Sequence, residues 1–441
     1  MRTWLYVGWP LLLAALSCPG SALAVEPPGG FRALFNGSDL DGWHGWRHEA
    51  FMKRQEMSPE ECAARTKELT EDARQHWSVE NSELVNDGYG SYLATDGEFR
   101  DFELRLEYKT VAHADSGIYL KATPQVQIWD YTDPQKFRMG AHLGSGGLWN
   151  NPPGTAGKDP LVLADRRLGE WNSFRIVQVG ERTSVWLNDA LVVDNVIQDH
   201  YYDRESPLPI RGSVILQTHG GEIRWRNLFI RELTANEANS VIAGHRRQAF
   251  TPLFDGTDLT GWQGAVEDYE IINGAIRCKQ GHGGLLLTQE EYANFTVRLE
   301  FRLPAAGNNG LAIRSSGEGD PAYFGMCELQ VIDSDHPKYT GRIDPRQTHG
   351  SAYGIVAAEG GYLRPTGEWN FQEVTIDGSR VRVELNGTII LDADLAAVTE
   401  HMGNRPHPGK DRTSGYFGFS GHNDPVEFRN ISIRVLPGTS S

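Results

Sequence analysis

The sequence predicts an all-β chain made of two tandem antiparallel β-sandwiches, the first carrying a helical insertion. Three observations carry this prediction: the chain is written twice, most of each copy alternates apolar and polar residues, and one stretch breaks that alternation with a capped helix. A length of 441 residues allows two or three ordinary domains, and the repeat sets the number at two. The content of 49 Gly, 22 Pro, 12 Trp, 15 Tyr and 17 Phe fits a folded, turn-rich and aromatic-rich chain rather than a disordered one.

Residues 1–24 read as a secretory signal. Arg2 precedes an apolar stretch from Trp4 to Leu16, and Ala22, Leu23 and Ala24 supply the small residues for cleavage after Ala24. The stretch falls short of the roughly 20 apolar residues of a membrane span, and Ala15, Leu16 and Ser17 before Cys18 make a poor lipoprotein signal. The mature chain is expected to be secreted or periplasmic. It keeps Cys62, Cys278 and Cys327, too few and too scattered for a disulfide framework or a zinc site, so they are expected to be unpaired. With 42 Lys and Arg against 58 Asp and Glu, the net charge of −16 gives no basic footprint for nucleic acid.

The first unit is expected over residues 25–233, a linker over 234–249, the second unit over 250–436 and a tail over 437–441. Phe31 to Trp43 returns as Phe250 to Trp262, Asp101 to Lys109 as Asn294 to Arg302, Gly169 to Asn172 as Gly367 to Asn370, and Arg226-Asn227 as Arg429-Asn430. The offset between copies is 219 at Phe31 and 193 at Leu106, so the first copy holds 26 extra residues. They fall in Arg47 to Gln75. There Ser58, Pro59 and Glu61 read as N-cap, N1 and N3 of a capping box opening a helix. Such a graft is either a lid for a site or a packing embellishment.

In a strand, residues of one parity share a face. With Phe102, Leu104, Leu106 and Tyr108 inside, Glu103, Arg105, Glu107 and Lys109 point out together. Tyr119 and Lys121 are expected outside beside Ile118 and Leu120, as are Gln125, Gln127 and Trp129 beside Val126 and Ile128. Gln217 and His219 share a face opposite Leu216. Polar residues recur between copies: Arg105 with Arg298, Glu107 with Glu300, Lys121 with Arg314, Gln127 with Gln330, Asp130 with Asp333, His142 with His349 and His219 with His422. Together they predict a ligand-binding sheet face in each unit.

Several chemistries are disfavoured. No nucleophile elbow, Walker loop, dinucleotide fingerprint or His-Glu-x-x-His helix is present. Retaining glycosidases on related sandwiches need two carboxylates that reach one sugar. The strands Gln125 to Asp130 and Glu328 to Asp333 carry a Gln in place of one, with Asp130 and Asp333 on the wrong parity.

The motifs Leu34 to Trp43, Asp115 to Lys121, Val126 to Asp130, Gly169 to Asn172, Gln217 to Gly220 and Arg226-Asn227, in that order in the chain, resemble the 3-keto-disaccharide hydrolase domain family. The resemblance covers both copies. It implies concanavalin-like jelly rolls and action on glycosides already oxidised to a ketone at C3. Such a ketone acidifies the C2 proton, so a base can remove it while the C1 aglycone leaves, and water can then add. On this reading His219 is the expected base or acid with Glu107 as partner. Arg105, Lys121, Gln125 and Gln127 would hold the sugar and its oxyanion, with Trp129 as stacking surface and Asp115, Tyr119, Asp130, His142 and Asn150 nearby. In the second copy His422, Glu300, Arg298, Arg314, Glu328, Gln330, Asp333 and His349 take the corresponding places. A divalent metal ion such as calcium is one option for the developing enediolate. The copies differ at Gln125/Glu328, Asp115/Asn308 and Trp129/Ile332, which leaves open which is catalytic. The competing expectation is a non-catalytic, lectin-like carbohydrate-binding protein.

Overall fold

The structure, a computed structural model, describes residues 25–48, 56–245 and 249–437. The expected signal peptide lies outside these residues. Each unit is a sandwich of two antiparallel sheets, and the two units repeat one strand order. The back sheet of the first unit runs Ala190–Ile197, Arg182–Leu187, Asn172–Val179, Phe102–Thr110, Ile223–Glu232, Glu83–Asn86 and Trp77–Glu80, with Arg32–Ala33 paired to Ile223–Glu232. Its front sheet runs Trp43–Trp46, Tyr92–Thr95, Ile215–Leu216, Asp115–Tyr119 and Gln125–Trp129. The second unit copies this, its front sheet running Trp262–Gly264, Gly283–Tyr292, Gly415–His422, Asn308–Ser315 and Cys327–Ile332. Both units are therefore jelly-roll β-sandwiches, as expected.

The alternation builds each core. Leu104, Leu106 and Tyr108 from the back sheet meet Ile118, Val126, Ile128 and Leu216 from the front. In the second unit Val297, Leu299 and Phe301 meet Leu311, Leu329, Val331 and Phe419. Burying such side chains is worth about 1.5–3 kcal/mol each before chain entropy is counted.

The insertion forms the helix Pro59–His76, with Ser58 as N-cap and the capping box with Glu61 complete. It lies against the edge strand of the front sheet. Gly45 donates its N–H to Thr70 Oγ1 at 3.0 Å, and a side chain at Gly45 would collide with the helix backbone at Leu69 and Thr70. The helix thus covers an edge that would otherwise offer free backbone groups to another strand.

The linker also folds, which the sequence reading did not foresee. Thr234 caps the helix Ala235–Gly244 through a second capping box with Glu237. Its Ala238 and Ile242 pack between Val179 of the first unit and Phe371 of the second. Beside it the units are clamped by the Arg182–Glu384 pair, by Arg364 against Asp101, and by Glu181, whose carboxylate accepts the N–H groups of Leu208 and Ile389. Cys278 and Cys327 are buried free thiols. No helix among the described residues is long and apolar enough to cross a membrane.

Candidate functional site

The outer face of each front sheet carries a hydrogen-bonded row of side chains. In the first unit Asp115 and Gln127 stand on neighbouring strands, and Gln127 Nε2 donates to Asp115 Oδ1 at 2.9 Å. Gln125 Nε2 donates to Gln127 Oε1 at 2.9 Å and to Gln217 Oε1 at 2.7 Å. Gln217 Nε2 reaches the hydroxyls of Tyr92 and Tyr119, and Tyr119 meets His48 Nε2 at 2.7 Å. Opposite Gln127 the strand has Gly117, where any Cβ would overlap Gln125. The glycine is what lets the amide row lie flat on the sheet.

Asp115, almost buried, is the focus of charge. Its Oδ2 lies 3.2 Å from Lys136 Nζ and 3.2 Å from His219 Nδ1. The His219 side chain stays 63% exposed. The hydrogen bond to Asp115 holds its pKa above the ordinary histidine value.

The second unit rebuilds this pair from different positions. Asn308 stands where the first unit has Asp115, and Glu328 where it has Gln125. His422 Nε2 lies 3.3 Å from Glu328 Oε1, and that bond raises the His422 pKa. Gln330 Nε2 donates to Asn308 Oδ1 at 3.0 Å, as Gln127 does to Asp115. Gly310 faces Gln330 across the strands and makes room for Glu328. One carboxylate and one amide have changed places, and each face still pairs one buried carboxylate with one exposed imidazole. A cavity of about 210 Å³ opens beside this pair, lined by Asn308, Glu328, Gln330, Tyr339, Tyr353 and His422 among others.

Several expected site residues lie elsewhere. Arg105 and Glu107 are on the back sheet, whose outer face points away from His219. Glu107 pairs with Arg226, and Arg105 binds Glu103 while stacking on Phe31. Arg298 and Glu300 repeat this, bound to Glu373 and to Arg429 with Asn430. The partner of His219 is Asp115, not Glu107, and that of His422 is Glu328, not Glu300. Lys121 and Arg314 sit at strand ends with positive φ, 49° and 46°, and bend away from the face into buried corners. Lys121 Nζ donates to Gly180 O, with burial pulling its pKa down to about 8, and Arg314 donates to the carbonyls of Ala293, Gly378 and Arg412.

Asp130 and Asp333 anchor loops by accepting the N–H groups of His113 and Ala306, and Asn150 accepts the N–H of Gln125. His142 is exposed and leans on Phe137, whereas His349 is buried between the sheets on Phe301, beside Gln372. Burial drives the His349 pKa down to about 4. The two are not equivalent: Gly146 and Gly350 bond the carbonyls of Gln127 and Gln330, so Ser145 is the counterpart of His349. Trp129 is only 6% exposed, its ring against Trp149 and under Lys136, which leaves no open stacking platform.

The residues missed include Lys136 and also His48, around whose ring those of Tyr92, Tyr119, Tyr201 and Tyr202 gather. Tyr339 and Tyr353 of the second unit were missed as well. Among the described residues no three His, Cys, Asp or Glu side chains gather to hold a metal ion. The first-unit carboxylate is already shared by Lys136 and His219. This donor set does not fit a resident metal, and the chemistry below uses none.

The sequence matches the 3-keto-alpha-glucoside-1,2-lyase-like domain family over residues 30–231 and 249–434, once for each sandwich. The chain belongs to that family. A 3-keto-disaccharide hydrolase of Bacteroides thetaiotaomicron is 24% identical over 248 residues, 47% of this chain and 86% of that protein. A crystallised protein of Parabacteroides distasonis classed as a glycosyl hydrolase is 26% identical, covering 42% of this chain and 99% of its own, with a TM-score of 0.39. The carbohydrate-binding module CBM66 of Bacillus subtilis is 12% identical, covering 40% and 95%, with a TM-score of 0.27. Family membership makes this a carbohydrate hydrolase-type chain, with one family match on each unit.

Proposed function

We propose that the chain is a secreted enzyme that cleaves 3-keto-glycosides by C2 deprotonation and β-elimination, with hydration completing a net hydrolysis. The observation that carries this reading is the carboxylate–imidazole pair, kept on both front sheets although its carboxylate comes from different positions. The chemistry needs one base of near-neutral pKa beside the C2 hydrogen, not the two carboxylates of ordinary glycoside hydrolysis.

In the resting pair the carboxylate orients the ring and stabilises the imidazolium formed when the base takes the proton. In His422 the nitrogen turned from Glu328 is Nδ1, and in His219 the nitrogen turned from Asp115 is Nε2. The electron pair of the C2–H bond moves to the C3 carbonyl as an enolate and returns to form C1=C2 as the C1–O bond breaks. The aglycone oxygen takes a proton from the imidazolium. Water then adds its hydroxyl to C1 and a proton to C2. Amide donors such as Asn308 Nδ2, whose partner oxygen is engaged by Gln330, suit the enolate oxygen.

The test is aglycone release from a 3-keto-glucoside beside the parent glucoside. Release from the keto sugar alone, abolished in the double variant His219→Ala with His422→Ala, is expected. Saturable binding of both sugars with no release points instead to the lectin-like alternative.

A further inference from the structure

We infer that the second unit's front-sheet pocket is where the sugar binds and is cleaved, and that it holds one oxidised pyranose ring, with the aglycone outside and a sugar hydroxyl donating to Gln330 Oε1. The inference rests on the function proposed above for the identity of the sugar, and on three contrasts between the faces for its place.

The first contrast is in hydrogen bonding. On the first face Gln127 is complete, donating to Asp115 and accepting from Gln125. On the second face Glu328 replaces that donor with a carboxylate, and Gln330 Oε1 has no partner although the side chain is only 4% exposed. A buried acceptor without a donor is costly unless something supplies one. A sugar hydroxyl is such a donor, and Gln330 is one of the residues that line the cavity beside His422.

The second contrast is in charge. Asp115 divides its charge between Lys136 and His219, whereas Glu328 has His422 as its one ionic partner among the described residues. Tyr339 occupies the Lys136 position. An undivided carboxylate supports a growing imidazolium better than a shared one.

The third contrast is room. A space of about 210 Å³ lies below the roughly 300–1,000 Å³ of pockets for drug-sized ligands. It suits a single ring and leaves a second ring outside. The first face, by comparison, fills the same place with Tyr119 and Gln217, where the second has the smaller Ala312 and Ser420.

The test titrates methyl 3-keto-glucoside into the full chain, compares it with 3-keto-glucosides bearing aryl and glucosyl aglycones and with single-deoxy analogues, and follows turnover in the same samples. Expected are one site per chain, affinities within about tenfold across aglycones, and binding at least tenfold weaker in Gln330→Met. One deoxy analogue should bind wild type and Gln330→Met alike, a signature that general misfolding would not give. His422→Ala should lose at least tenfold more turnover than His219→Ala. Two equal sites, a glucosyl aglycone gaining far more than tenfold, equal loss of every analogue in Gln330→Met, or a larger loss in His219→Ala would each overturn the proposal. Single-site, Gln330-dependent binding without turnover would refute the cleavage reaction and the pocket's part in it, yet uphold the one-ring site.

Discussion

Gly310→Ala should disable the second unit's pair without removing either member. Gly310 has no left-handed backbone requirement, but a Cβ there would sit 2.5 Å from Glu328 Cγ and closer still to the carboxyl, against an ordinary contact of 3.4–4 Å. The Glu328 side chain must therefore move by about 1 Å or more, and the 3.3 Å approach of its Oε1 to His422 Nε2 is lost. A charge-assisted hydrogen bond is worth about 1.5–3 kcal/mol, so kcat on a 3-keto-glucoside should fall roughly 10- to 100-fold if the pair supports the transition state. The overpacking itself should cost only about 1–3 kcal/mol of stability, leaving the fold intact by thermal unfolding. The His422 resonance should titrate lower, toward the ordinary histidine value, because the Glu328 bond is the main cause of its raised pKa. Unchanged kcat in a folded variant whose His422 pKa has dropped would refute the argument.

Other perturbations follow from named contacts. Since only neutral imidazole can act as base, kcat/KM should climb with pH through a pKa above 6.5, and Glu328→Gln should move that limb down; a limb unmoved by the change contradicts the pairing. Glu384→Ala leaves Arg182 largely buried without its carboxylate and should cost about 3–5 kcal/mol, split the unfolding of the two units in denaturant, or both. Burial pushes the Glu181 carboxyl up to about 7 from an ordinary 4.5. Its contribution to stability is thus fully present below about pH 4.5 and lost as pH rises through about 7. Stability of wild type relative to Glu181→Gln should fall across that window. Ser58→Ala removes the N-cap of the insertion helix and should cost about 1 kcal/mol in the first unit.

The sequence reading succeeded where one strand decides the matter and failed where two sheets or a turn decide it. Parity placed Leu104, Leu106 and Tyr108 in the core and Gln125 and Gln127 outside it. A sandwich has two outer faces, however, and parity cannot say which one a strand presents. Glu107 and His219 are both outward, on opposite sides of the first unit. Lys121 and Arg314 were misplaced because alternation stops where the backbone turns left-handed. His142 and His349 align as letters, but loops of different length between Asp130 and Gly146 and between Asp333 and Gly350 shift the hydrogen-bonded register. The exchange of Asp115 and Gln125 for Asn308 and Glu328 was visible as two differences. Only cross-strand adjacency makes it a single conserved pair. The capping box at Ser58 was legible because it is local; the aromatic contacts of His48 with Tyr201 and Tyr202 join segments about 150 residues apart, and no local signal connects them.

Removal of the C2 proton is the step that sets the proposed reaction apart from displacement at C1. Turnover of a 3-keto-glucoside in deuterated water, sampled at times short against uncatalysed exchange, tests it by reading deuterium at C2 of the released sugar. One deuterium there for each aglycone released is the predicted result. Aglycone release with C2 still fully protonated would mean displacement at C1 and would contradict the account.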